Sequence, residues 1–268
     1  HNTAKLVTTG ESQLGGDLIN SNIEGSKVFA TVAGNISGVS ADADVRAELI
    51  ADKNITATTV KTGTDVIVMT AGGLIQGSSA MSGKNMILTA GTEIDGSDFT
   101  AVEDITVDAT DLAASSFISE KGAITVGPLA NIIDSTIWAK EGAISIGGAT
   151  GVTDEIDGST ISAGTTLTLL ANWVVGSSLI TEDGLLNVDA QTIDGSELLS
   201  KKQDIFLKID VLNDTSLAAA TNIDVDGVSI LTSTITASSM SAKTGNVTVD
   251  DFLTVNALTV NAGGNATI

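Results

Sequence analysis

Hydroxyl and carboxylate side chains are the groups in this sequence able to do chemistry, and both recur at a fixed interval. Three segments read Ile-Asp-Gly-Ser, starting at Ile94, Ile156 and Ile193. The same spacing places a hydroxyl in each of nine successive units: Ser78, Ser97, Ser116, Ser135, Ser159, Ser177, Ser196, Thr215 and Ser233. Such a row either stacks as hydrogen-bonded rungs or faces a ligand. A buried hydroxyl without a partner costs about 1–3 kcal/mol, so the expectation is a satisfied structural ladder. The carboxylates offer less. Asp95, Asp157 and Asp194 alternate with units that carry Ala114, Ile133 and Val175 at that place. Paired carboxylates can hydrolyse glycosides, but here nothing marks a cleft, aromatics are 3% of residues, and the sole His is His1. The Gly-Gly-x-Gly-x-Asp calcium repeat and the EF-hand loop are both absent. With no Cys there are no thiolate metal sites and no disulfides. The expectation is a chain that is not an enzyme, with no cofactor and no specific metal site.

Charge narrows the partners. The chain has 33 acidic and 12 basic residues, a formal net charge of −21. That surface repels nucleic-acid phosphates and anionic lipids. It suits solubility, and bridging by divalent cations between molecules. No stretch approaches the roughly 18–20 apolar residues of a membrane-spanning helix; the densest run, Leu167 to Val175, is broken by Thr168 and Asn172. Neither nucleic-acid binding nor membrane insertion is expected.

The elements that must hold these groups follow from the interval itself. With the residue three before each hydroxyl as anchor, the units start at Ile75, Ile94, Ala113, Ile132, Ile156, Val174, Ile193, Leu212 and Ile230. Weaker copies start near Leu18, Ile36 and Ile55. A period of about 19 residues means one small unit stacked on copies of itself. Five positions after the anchor stands an apolar residue, as in Phe99, Ile118, Ile137 and Ile161, and seven after it usually a small one, as in Ala101, Ala139, Ala163, Ala219 and Ala237. Offsets three, five and seven share one parity and therefore one face of a strand. The anchor has the other parity, so a corner must lie at the Asp-Gly step if both point inward. A second strand follows, with aliphatic residues alternating with Thr, Ser, Asn or Asp, as in Ile105-Thr-Val107 and Leu186-Asn-Val188.

The fold class is therefore all-β: a parallel β-solenoid, or stack of β-arches, with a repeat of about 19 residues. It is expected to form one domain over residues 1–268, clearest at 75–237, with an insertion loop near 147–155 where the interval lengthens to 24. About 12 coils at roughly 4.8 Å each would make a column of about 55–60 Å. Whether the section is a flattened arch or a three-sided tube is left open by the pattern.

The unit Ile156-Asp-Gly-Ser-Thr-Ile-Ser-Ala-Gly-Thr-Thr-Leu-Thr-Leu resembles the repeats of filamentous haemagglutinin-like exoproteins, whose β-helices form long bacterial surface fibres. The chain also resembles, in architecture and acidity, the sheath-forming proteins of certain methanogenic archaea, which assemble edge to edge into amyloid-like rings. The start at His1 fits a processed chain or an excised fragment, and the strand-like last ten residues carry no charge and no Pro. These features lead to the expectation of an extracellular structural protein at the cell surface, a homopolymer of copies joined through open β edges into a sheath, filament or surface layer. A stalk segment of a secreted adhesin is the alternative, and a polysaccharide-active β-helix enzyme the third.

Overall fold

Units with too few apolar residues to form a core alone must cover one another. In the computed structural model the chain does this as a β-solenoid of about 13 parallel turns, roughly 19 residues apart. At the usual spacing between strands that is a column of about 60 Å. The structure describes residues 5–7, 11–127, 131–147, 151–228 and 233–268, with 5–7 and 11–14 as backbone only. There is no helix among the described residues.

Each turn has three strand segments, so the section is three-sided. In the turn around Ile94 they are Glu93–Asp95 on the first face, Asp98–Ala101 on the second and Ile105–Asp108 on the third. The segments pair in register with their counterparts in neighbouring turns, apart from one shift between Gly25 and Lys27 where Asn22–Val32 meets Ser40–Ala51. On the first face Ile94 lies between Ile75 and Leu112. Phe99 lies between Ala80 and Phe117 on the second, and Ile105 between Met86 and Ile124 on the third. Near the C-terminal half the third and first faces run into one another as single strands, Leu167–Val175, Leu186–Asp194 and Ile205–Asn213. The apolar density of Leu167 to Val175 thus serves two adjoining core faces.

The change of parity after the anchor is made by one residue in the left-handed region. It is Gly38, Gly77, Gly96, Gly158, Gly176 or Gly195 in six turns, with φ between 54° and 62°. In other turns it is Asn20, Ala57, Ala114, Asp134, Asp214, Ala237 or Ala257, all with positive φ. Glycine adopts this conformation without strain, whereas Ala does so at a cost of about 1–2 kcal/mol. The core is aliphatic, with Phe99 and Phe117 stacked at 5.4 Å between ring centroids.

The stack corrects the expected register in two turns. Leu112, not Ala113, pairs with Ile94 and with Ile132. Phe117 is accordingly buried, and Ile118 lies on the outer side. Towards the end of the chain Ile235 pairs with Leu212. The expected anchor Ile230 lies outside the described residues. Ala242 is the buried small residue of that turn, while Ala237 is its exposed corner. In the first turn the sequence repeats chemistry at adjacent positions, Ser115-Ser116 and Phe117-Ile118, and in the second an Ile-x-x-Ser pattern recurs five residues on, at Ile230 and Ile235, so counting from a period cannot see a turn that gains or loses residues. Of the insertion expected near 147–155, residues 147–152 fall between the strands Ile144–Ile146 and Thr153–Asp157 and residues 153–155 open the second of them; residues 148–150 lie outside the described residues.

Candidate functional site

The corner after each anchor leaves one amide pointing away from the strand pairs, and the hydroxyl column takes it. Ser97 Oγ donates to the Asp95 carbonyl at 2.9 Å across the corner and accepts the Ser78 N–H at 3.1 Å from the preceding turn. The pattern repeats: the N–H of Ser135 donates to Ser159 Oγ at 3.1 Å, that of Ser159 to Ser177 at 3.1 Å, and that of Ser177 to Ser196 at 3.2 Å. Upstream, the Thr58 N–H reaches Ser78 Oγ at 3.3 Å. The rungs are therefore joined through backbone amides, and each hydroxyl donates at its shortest distance to the carbonyl two residues back; those of Ser115, Ser159, Ser177, Ser196 and Thr215 also lie 3.2–3.4 Å from the anchor carbonyl of the preceding turn.

Seven of the nine expected rungs lie in this column: Ser78, Ser97, Ser135, Ser159, Ser177, Ser196 and Thr215, all buried. Ser116 does not. Ser115 takes its place, accepting the Ser97 N–H at 3.2 Å, while Ser116 lies on the outer side of the second face beside Asp98 and Thr136. Ser233 is buried, but its Oγ bonds Asp210 Oδ1 at 2.9 Å, away from the corner. The Thr215 N–H is received by Ser238, at 3.4 Å.

A second hydroxyl column went unnoticed in the sequence because Ala interrupts it. Thr62, Ser82, Ser119, Thr181 and Ser200 are buried at the corner between second and third faces. Ser82 Oγ sits against the carbonyls of Asp65 and Asn85, and Ser119 Oγ against those of Glu103 and Gly122. Their mark in the sequence is the offset-seven position, where Ser or Thr replaces Ala.

Amide side chains form shorter ladders. Asn35 donates its N–H to Asp17 Oδ1, and Asn35 Oδ1 accepts the Asn54 N–H. Another ladder runs through Asp204, Asn222, Asn246 and Asn265. Asn35, Asn54, Asn246 and Asn265 are also the first residues of Asn-x-Ser/Thr triplets, so these triplets coincide with a structural device.

The acidic groups are distributed unevenly. The first face carries Glu93, Asp95 and Asp111 close together; partial burial, then the neighbouring charges of Asp95 and Asp111, raise the Glu93 carboxyl above its ordinary value. On the third face burial, then Asp250 and Asp226, raise Asp224. Asp204 moves the other way: against the effect of burial, bonds from the Thr221 hydroxyl and the Asn222 backbone and side chain hold it below the usual range. The backbone and side-chain bonds of Asn35 likewise lower Asp17. Among the described residues no three acidic or His side chains are placed to hold a metal ion.

Cations gather on the ridge between second and third faces, as the pairs Lys140–Glu120 at 2.6 Å and Lys201–Glu182 at 2.5 Å and as Lys202 with Asp183. Trp138 and Trp173 are 40% and 44% exposed, on different faces: Trp138 is on the second, with Lys140 Nζ 5.0 Å from its ring, and Trp173 on the first beside Glu155.

The last described turn has Thr254–Asn256, Thr259–Ala262 and Ala266–Thr267 as its three strands. Its inward Val255, buried in every equivalent position before it, is 39% exposed, and Ile268 is 65% exposed. No family model, no curated protein and no solved structure matches the chain.

Proposed function

We propose that this protein is an extracellular structural protein whose copies stack end to end, turn upon turn, into a sheath, filament or surface layer. The observation that carries the reading is the in-register stacking of the turns, in which each residue of a strand such as Asp98–Ala101 meets its equivalent in the turns on either side. A stack of this kind recruits further strands wherever an edge is left unpaired, and its in-register columns supply side chains that match rung for rung, as in cross-β packing held within one chain. A second copy would continue the hydroxyl, amide and aliphatic columns without a new kind of contact. The acidic outer faces suit solubility of the single copy and divalent-cation bridging between assembled ones. No catalytic role, cofactor, nucleic acid or membrane insertion belongs to this reading.

The test is polymerisation of the purified full chain. Sheet-rich polymers with high resistance to heat and detergent are expected, and Val255→Lys, which places a charge on the exposed rung, is expected to block them. A chain that stays monomeric and monodisperse at high concentration overturns the reading. The same stacking also favours a second reading, a stalk segment of a longer secreted adhesin in which the next turn belongs to the same polypeptide. A parent reading frame of thousands of codons would favour the stalk, one of a few hundred the assembler.

A further inference from the structure

Among the described residues the outer sides of the second and third faces both carry few charges, and the second is set apart by a continuous, largely apolar row. Its strands, from Ser79–Ser82 to Ser216–Ala219, present two outward rows. One is mostly hydroxyl: Ser79, Ser116, Thr136, Thr160, Ser178 and Ser216, with only Asp98 and Glu197 interrupting. The other is apolar or small: Met81, Ile118, Trp138, Ile180, Leu199 and Ala218, with Thr100 and Ser162 between. Met81 is 53% exposed and Trp138 40%. Over the same turns the first face carries Glu93, Asp95, Asp111, Glu155, Asp157 and Asp194.

We propose that this face is a lateral interface between two copies of the chain, packed face to face with their solenoid axes antiparallel. Three features select a second copy as the occupant. The acidic groups of the first face are missing here, so approach through this face meets less repulsion than approach through the first. The area is sufficient: eight turns at about 4.8 Å, by four residues at about 3.3 Å, give roughly 500 Å² per copy and about 1,000 Å² in all, the lower bound of a specific interface. Third, a two-fold axis lying in the face and perpendicular to the column sets apolar row on apolar row and pairs large residues with small ones. With the axis between the Trp138 and Ser162 turns, Trp138 meets the partner's Ser162, Met81 meets the partner's Ala218, and Ile118 meets the partner's Ile180. In the hydroxyl row Thr136 then meets the partner's Thr160. The parallel arrangement about an axis midway between the rows would instead set the apolar row on the hydroxyl row. One contact opposes pairing, because Asp98 faces the partner's Glu197, and this makes the arrangement testable by gain as well as by loss.

The proposal goes beyond end-to-end stacking and stands or falls independently of it. The experiment is sedimentation velocity on the full chain over a range of concentrations, with sheet content and melting followed for every variant. The expected results are a pairing equilibrium weakened about tenfold or more by Trp138→Lys and strengthened several-fold by Asp98→Asn with Glu197→Gln. Because the chain has no Cys, mixing Ile118→Cys copies with Ile180→Cys copies is expected to give a disulfide between copies on oxidation. Ile118→Cys alone is expected to give none. Unchanged pairing in Trp138→Lys overturns the proposal, as does failure of the mixed cysteine variants to link. If instead filaments form one solenoid wide with these cysteines unlinked, lateral pairing is wrong while end-to-end stacking survives.

Discussion

A serine in the corner column does two things at once. Its proton closes the corner on the carbonyl two residues back, and its lone pair receives an amide from the turn before, as Ser159 does for Asp157 and Ser135. Replacing Ser115 by Ala removes the acceptor of the Ser97 N–H in a buried setting, which costs about 1–3 kcal/mol. Ser116→Ala, on the outer side, is expected to stay within about 0.5 kcal/mol. Chemical denaturation of the two variants separates them, and equal effects would contradict the assignment of Ser115 to the ladder. Thr153 presents the opposite case. Its hydroxyl is buried without a hydrogen-bond partner among the described residues, so Thr153→Val, of the same shape, is expected to raise stability by about 1 kcal/mol. The serine column was legible because most of its members recur at one offset; the slip at Ser115-Ser116 was not, since both positions offer a hydroxyl.

At the scale of the turn, the two corners respond to glycine in opposite ways. The first corner needs positive φ, and Ala114 adopts it at 47°. Ala114→Gly relieves that strain and is expected to stabilise by up to about 1 kcal/mol. At the second corner Gly142 lies so close to the turn below that an added Cβ would sit 1.9 Å from the Gly122 carbonyl oxygen. Gly142→Ala must push backbone against backbone and is expected to lower the melting temperature. Thermal melts followed by the loss of sheet signal read both changes, and a stabilising Gly142→Ala would mean the turns are not stacked as closely as described. The Asp-Gly corner was readable as a change of parity. The crowding at Gly142 was not, because it arises between residues about 20 positions apart.

For the whole molecule, charge and burial set the response to pH. Glu93 and Asp224 have raised folded values, so the stability they contribute is present in acid and lost as pH rises through those values. Asp17 and Asp204 have lowered folded values; their contribution is present above the ordinary aspartate value of about 3.9 and lost as pH falls below it. The net charge of −21 adds self-repulsion at neutral pH. The melting temperature is therefore expected to rise as pH is lowered from neutrality, because Glu93 and Asp224 take up protons before ordinary carboxylates do, and to fall in stronger acid, with Asp224→Asn flattening the rise. A melting temperature that falls steadily from pH 7 downward would show that paired or hydrogen-bonded carboxylates dominate instead.

The aliphatic alternation, the interval of about 19 residues and the parity change at Asp-Gly are local facts, and from them the sequence by itself determined a stacked parallel solenoid and most of its hydroxyl column. The number of faces, the places of Leu112 and Ile235, the second hydroxyl column and the nearly uncharged second face were decided only by the tertiary structure. The physical reason is that a strand pattern states which side chains share a side, whereas the corners that turn those sides into three walls, and the residues added or lost between them, depend on how one turn rests on the next.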